Sequence, residues 1–267
     1  MKRALICLAV LSLTTVANGQ DWAKAALEKS PRHHEYVKVK NGSREVNCFV
    51  AYPEVKEKAT AVLVIHEIFG LADWPKLLAD ELAEAGYIAI APDLLSGAGP
   101  DGGGTDKISG RDGVMKAIRD LPADQITGDL DAAAKYVTAL DSSNGKLAVC
   151  GFCWGGGQAF RYASKNPSVK AAFPFYGSTE LSAAEVAAVG GPVYGFYGGN
   201  DNRINASIPK STDQMKAAGK AYEPVIYETG GHGFMRGGEP SNPEAREGDK
   251  KAREEAWIRL KDILKRL

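Results

Sequence analysis

The chain reads as an α/β protein built on a mostly parallel sheet with helices on both faces, and three observations predict it. From Thr60 onward, short continuous apolar runs alternate with segments of helical periodicity. Strands buried on both faces lose the two-residue alternation, and parallel neighbours need crossover helices between them. Ahead of these runs, Glu35–Lys40 and Arg44–Tyr52 alternate strictly around Asn41-Gly42, a hairpin signal expected to form an antiparallel edge. Finally, 267 residues that are 44% hydrophobic and 25% charged suffice for one large α/β core.

The elements follow in order. Asp21–Ser30 is a short helix candidate interrupted by Pro31. Ala61–Ile65 is a continuous apolar strand, and Trp74–Ala85 carries apolar residues at helical spacing and stops at Gly86. Tyr87–Ala91 is the next strand. Ser96–Gly113 is glycine-rich and reads as one long irregular segment; its place after a strand makes it a candidate wall of a site. Thr127–Leu140 is a helix, Lys146–Cys150 a strand, and Gly156–Ala163 a helix. Strands at Val169–Phe175, Val193–Tyr197 and Glu223–Tyr227 alternate with helices at Ser182–Ala188, Ser211–Ala218 and Asp249–Lys265. No repeat or interdomain linker is visible.

The first residues differ from the rest. Lys2 and Arg3 precede an apolar stretch from Ala4 to Val16, and Ala17-Asn18-Gly19 offers small residues at the positions a signal peptidase reads; Thr15-Val16-Ala17 is a second candidate. The expected organisation is a signal peptide over residues 1–19, an extension over 20–34 and one domain over 35–267, placing the mature protein in the periplasm or outside the cell. The 33 basic and 33 acidic residues balance, so nothing marks a nucleic-acid partner, and no membrane contact is expected after signal removal. The expected assembly is a monomer or weak homo-oligomer. No cofactor or metal motif is present: His66-Glu67 lacks the second histidine of a zinc protease.

The chemistry concentrates at Gly151-Phe152-Cys153-Trp154-Gly155. A buried strand, a tight turn and a helix form the context of a nucleophile elbow, with cysteine where serine usually sits. A cysteine nucleophile needs a base, and the base needs an orienting acid. Asp201 follows the strand ending at Tyr197, and His232 follows the strand ending at Tyr227 in a glycine-flanked loop, in the chain order nucleophile, acid, histidine. The loop His66–Gly70 follows the first parallel strand, so Ile68 and Trp154 are the candidate backbone donors for an oxyanion. Glu67 has two readings: a carboxylate that takes the thiol proton, or a surface or salt-bridged residue. Cys150 and Cys153 also have the spacing of a redox pair, but Cys150 belongs to the strand and Cys153 to the turn, unlike a pair at a helix start. A thiol-disulfide oxidoreductase, or a binding protein that keeps the pocket without turnover, are the competing functions.

Together, Val64–Gly70, Ala91-Pro92-Asp93-Leu94, Gly151–Gly156 and the Asp201 and His232 loops resemble the dienelactone hydrolase family, in consistent order from about Val37 to Leu267. The resemblance implies a single-domain α/β-hydrolase fold and hydrolysis of an ester or lactone through a thioester. It makes Cys153 the nucleophile, His232 the base, Asp201 its orienter and Glu67 an activator of the thiol. It also makes Phe69 and Arg236 substrate-binding residues. Members acting on dienelactone use arginines for its carboxylate, one of them just after the Pro-Asp-Leu segment. Here no arginine follows that segment until Arg111.

Overall fold

The computed structural model describes residues 20–267, so the expected signal segment lies outside the described residues. Eight strands form one sheet. β1 (His34–Asn41) and β2 (Arg44–Ala51) make the hairpin, with Asn41 opposite Arg44. Gly42 takes a positive φ of 60° in the turn, as a tight hairpin requires. β2 also runs antiparallel to β4 (Ile88–Pro92). The others, β3 (Ala59–Ile65), β5 (Ser143–Phe152), β6 (Val169–Phe175), β7 (Val193–Gly198) and β8 (Tyr222–Tyr227), extend the sheet in parallel. The strand order is β1-β2-β4-β3-β5-β6-β7-β8.

The apolar runs are continuous because each strand feeds two cores. Every residue of β3 is buried; Val62 and Val64 point into one core, and Ala61, Leu63 and Ile65 into the other. The first core is closed by α1 (Asp21–Leu27), α2 (Asp73–Glu84) and α10 (Glu247–Leu264). The second is closed by α4 (Ala123–Thr138), α5 (Trp154–Lys165), α6 (Ala183–Ala188) and α8 (Ile208–Ala217). Two short helices, α7 (Asn202–Asn205) and α9 (Phe234–Gly237), sit in the loops after β7 and β8.

The segment read as irregular departs from expectation. After two 3₁₀ turns at Pro100–Gly102 and Thr105–Lys107, it enters α3 (Gly110–Arg119). Val114 and Ile118, four apart, seat this helix on Leu95 in a small separate core. Two apolar positions among glycines and charges give too thin a periodic signal for the sequence to reveal it. Asp93 organises the approach: it accepts from the Leu95 and Thr105 N–H groups at 3.0 and 2.7 Å and from the Thr105 hydroxyl at 2.7 Å.

The two ends of the described chain are fastened to α2. Asp80 accepts from Ser30, Arg32 and His34 at 2.7 Å each. The adjacent Glu81 accepts from Arg253 of α10 at 2.6 and 2.7 Å, and the same guanidinium reaches Glu239 at 2.6 Å and the Met235 carbonyl at 3.1 Å.

Candidate active site

Cys153 sits between β5 and α5 at φ 56° and ψ −117°, a strained conformation that lifts its side chain out of the sheet edge. The flanking glycines make this possible. A Cβ on Gly151 would lie 2.0 Å from the Gly155 carbonyl oxygen, and one on Gly155 would lie 2.3 Å from that of His66. The turn is pinned by the Cys153 N–H donating to the Phe175 carbonyl at 3.0 Å.

The structure brings the three expected residues together. His232 Nδ1 lies 2.6 Å from Asp201 Oδ2, and its Nε2 lies 3.1 Å from Cys153 Sγ. Asp201 is buried and caps α7, accepting from the Ile204 N–H. The acid and histidine loops are tied to each other: Gly199 N–H donates to Tyr227 O at 2.8 Å, and Asn200 N–H to Gly230 O at 3.0 Å. Asp249 of α10 then accepts from Gly231 N–H at 2.8 Å, fixing the backbone just ahead of His232. Burial pulls the His232 pKa down. The hydrogen bonds to Cys153 and Asp201, and their negative charges, outweigh it and push the imidazole up to about 9.

Ile68, Cys153, Trp154 and His232 all line one cavity of about 290 Å³. Among the described residues neither the Ile68 nor the Trp154 N–H finds a backbone acceptor, as candidate oxyanion donors require. The sequence left Tyr176 unnoticed. It ends the β6 arm at a positive φ of 38°, lines the same cavity and packs edge-on against His232 at 5.3 Å. A tyrosine one residue past an apolar strand gives no signal of that conformation.

Glu67 is buried and paired with Arg236, whose Nε donates at 2.8 Å. Among the described residues it makes no hydrogen bond to Cys153, whose sulfur faces His232 instead. A buried carboxylate takes the nearest cation, and that cation is Arg236. The guanidinium is itself held further toward its charged form by Glu67. Phe69 lies beyond, on a second cleft of about 470 Å³ that Arg236 and Arg111 also line. Arg111 arrives at the start of α3 and stacks 4.3 Å from the Phe69 centroid, with Arg236 at 5.6 Å from it. This cleft is larger, but Cys153 does not line it, so the smaller cavity is where chemistry on a candidate nucleophile fits.

Cys150 is fully buried in the first core, and burial pushes its thiol pKa up. Cys48 is buried in the second core with the same consequence. Neither environment suits an exchanging thiol.

A sheet of this order, with a nucleophile elbow and an acid and histidine on later strand ends, defines the α/β-hydrolase class. The chain belongs to the dienelactone hydrolase family, whose family-wide sequence model matches residues 46–267. It is thus an enzyme of the lactone and ester hydrolase class. A provisionally named carboxymethylenebutenolidase of Methylorubrum extorquens is 32% identical over 237 residues, spanning 85% of this chain and 78% of that protein. The carboxymethylenebutenolidase of Pseudomonas putida is 30% identical over 188 residues, spanning 68% of this chain and 77% of that protein. Among solved structures, a provisionally named dienelactone hydrolase from Klebsiella pneumoniae superposes with a TM-score of 0.76 at 24% identity. That match covers 88% of this chain and 99% of the other.

Proposed function

We propose that this protein is an exported hydrolase of small carboxylic esters or lactones that works through a thioester formed on Cys153. The observation that carries the reading is the continuous line from Asp201 through His232 to Cys153, at 2.6 and 3.1 Å. In the first step His232 takes the Cys153 thiol proton, the sulfur bonds to the carbonyl carbon, and the carbonyl electron pair moves onto oxygen. The Ile68 and Trp154 N–H groups receive that oxyanion. Collapse expels the alkoxide, which takes its proton from His232. In a lactone the alcohol stays tethered to the acyl group. His232 then draws a proton from water, and the resulting hydroxide displaces the thiolate.

Glu67 enters this scheme through Arg236, holding the guanidinium on the Phe69 side of the site. The pair Arg111 and Arg236 around Phe69 supports substrates with an anionic group, supplied here from α3 rather than from the segment after Leu94.

Cys153→Ala tests the reading. Burst release of nitrophenol from short-chain nitrophenyl esters is expected in the parent, with an acyl mass on the peptide containing Cys153. The variant should lose at least about a thousandfold in turnover while keeping its circular dichroism. Retained turnover, or an acyl group found elsewhere, would sink the assignment.

A further inference from the structure

His66 is fully buried, and the catalytic steps above make no use of it. Its ring is held by two partners that together define its protonation. Nδ1 lies 2.8 Å from the Glu67 carbonyl oxygen, which can only accept, so Nδ1 carries the proton. Nε2 lies 3.4 Å from the Leu94 N–H, which can only donate, so Nε2 is the free lone pair. The ring is therefore a neutral imidazole of one defined tautomer. Burial lowers its pKa, in keeping with that state, against the opposing charge of Asp93.

The carbonyl that His66 holds belongs to the peptide joining Glu67 to Ile68. That peptide is one rigid plane, and the N–H at its other end is Ile68 N–H, the first oxyanion donor. The Gly70 N–H donates to the same carbonyl at 3.1 Å, and the two hydrogen bonds together fix the plane's rotation, and with it the direction of the N–H. They also polarise the amide, strengthening the bond that the N–H can make. The same ring stacks on Trp154, with centroids 5.8 Å apart and planes 15° apart. Trp154 carries the second donor. The backbone of His66 meets α5 as well, since its carbonyl oxygen abuts Gly155.

We propose that His66 is a positioning residue for the oxyanion hole, aiming the Ile68 N–H through the Glu67 carbonyl and bracing Trp154 by stacking. The inference rests on the reading of Cys153, Ile68 and Trp154 given above.

Two amide substitutions separate this role from core filling. His66→Asn places an amide nitrogen near the Nδ1 position and keeps a donor for the Glu67 carbonyl. His66→Gln places its amide near Nε2, serving the Leu94 side and abandoning the Glu67 carbonyl. The two differ little in polarity. H66N is expected to stay within about fivefold of the parent in kcat. H66Q should fall about 10- to 100-fold in kcat with KM within about twofold, the pattern of an interaction made in the transition state.

Two further readouts use Cys153 differently. Alkylation by iodoacetamide needs the thiolate and no oxyanion donor, so its rate should stay within about twofold of the parent in both variants. A small alkyl trifluoromethyl ketone adds the Cys153 sulfur to its carbonyl and leaves an oxyanion. Its affinity should fall in H66Q in step with kcat. Equal losses in H66N and H66Q, full activity in H66Q, or alkylation slowed as much as ester turnover would each overturn the proposal. If iodoacetamide fails to label Cys153 in the active parent, the nucleophile reading itself fails, whatever the His66 variants do.

Discussion

At the scale of single residues, the site is a set of charges held by their neighbours. His232 shows the sign of this most directly. Its ordinary pKa near 6.5 is raised to about 9, so the imidazolium that the proposed mechanism needs as the acid for the leaving alcohol persists through neutral pH and is lost as pH climbs through that value. The profile of kcat/KM is therefore expected to have an alkaline limb near pH 9. Asp201→Asn removes one of the raising charges and should move that limb to lower pH as well as lowering the plateau. A limb that stays put in the variant would show that it reports some other group. That Cys153, Asp201 and His232 would meet was legible in the sequence because each carries its own punctuation: glycines around Cys153 and His232, and a strand end before Asp201. The partner of Glu67 was not legible. Nothing in spacing tells a buried carboxylate whether a thiol or a guanidinium will reach it first, and Arg236 lies far along the chain.

At the scale of elements, the outcome turned on how many apolar positions each segment offers. β3, β4 and β6 are dominated by apolar residues, broken only by Thr60 in β3 and Lys170 in β6, and their pattern predicts bounds within a residue or two of those observed. α3 rests on two apolar contacts among glycines and escaped the reading, yet it delivers Arg111 to the Phe69 cleft. Ion pairs between elements are equally hidden from sequence. Arg253, 8% exposed, joins α10 to Glu81 of α2 and to Glu239 behind α9. Removing it leaves two carboxylates without their cation in a largely buried position. Arg253→Met is expected to cost about 3–5 kcal/mol in urea unfolding, because a broken buried pair loses more than the pair itself contributes. A change under about 1 kcal/mol would show that water reaches and satisfies both acids. Because Arg253 also holds the Met235 carbonyl, activity should fall at temperatures where the variant remains folded.

At the scale of the whole molecule, the fold class was readable from the alternation of runs, whereas the order of strands was not, since local pattern carries no record of which strands neighbour each other. Export is an expectation of the first residues alone, and it has a direct measurement. Protein recovered by osmotic shock from expressing cells should have an intact mass beginning at Asn18 or Gln20, one for each candidate cleavage site. A chain retaining Met1 in the cytosolic fraction would count against export. Outside the cytosol a protein meets proteases, and those begin at loose ends. The neighbouring acids Asp80 and Glu81 gather both flanks of the domain onto a single helix. One short stretch of α2 thereby denies peptidase trimming from either direction its first foothold, and damage there would expose both flanks to trimming while the sheet between them still stands.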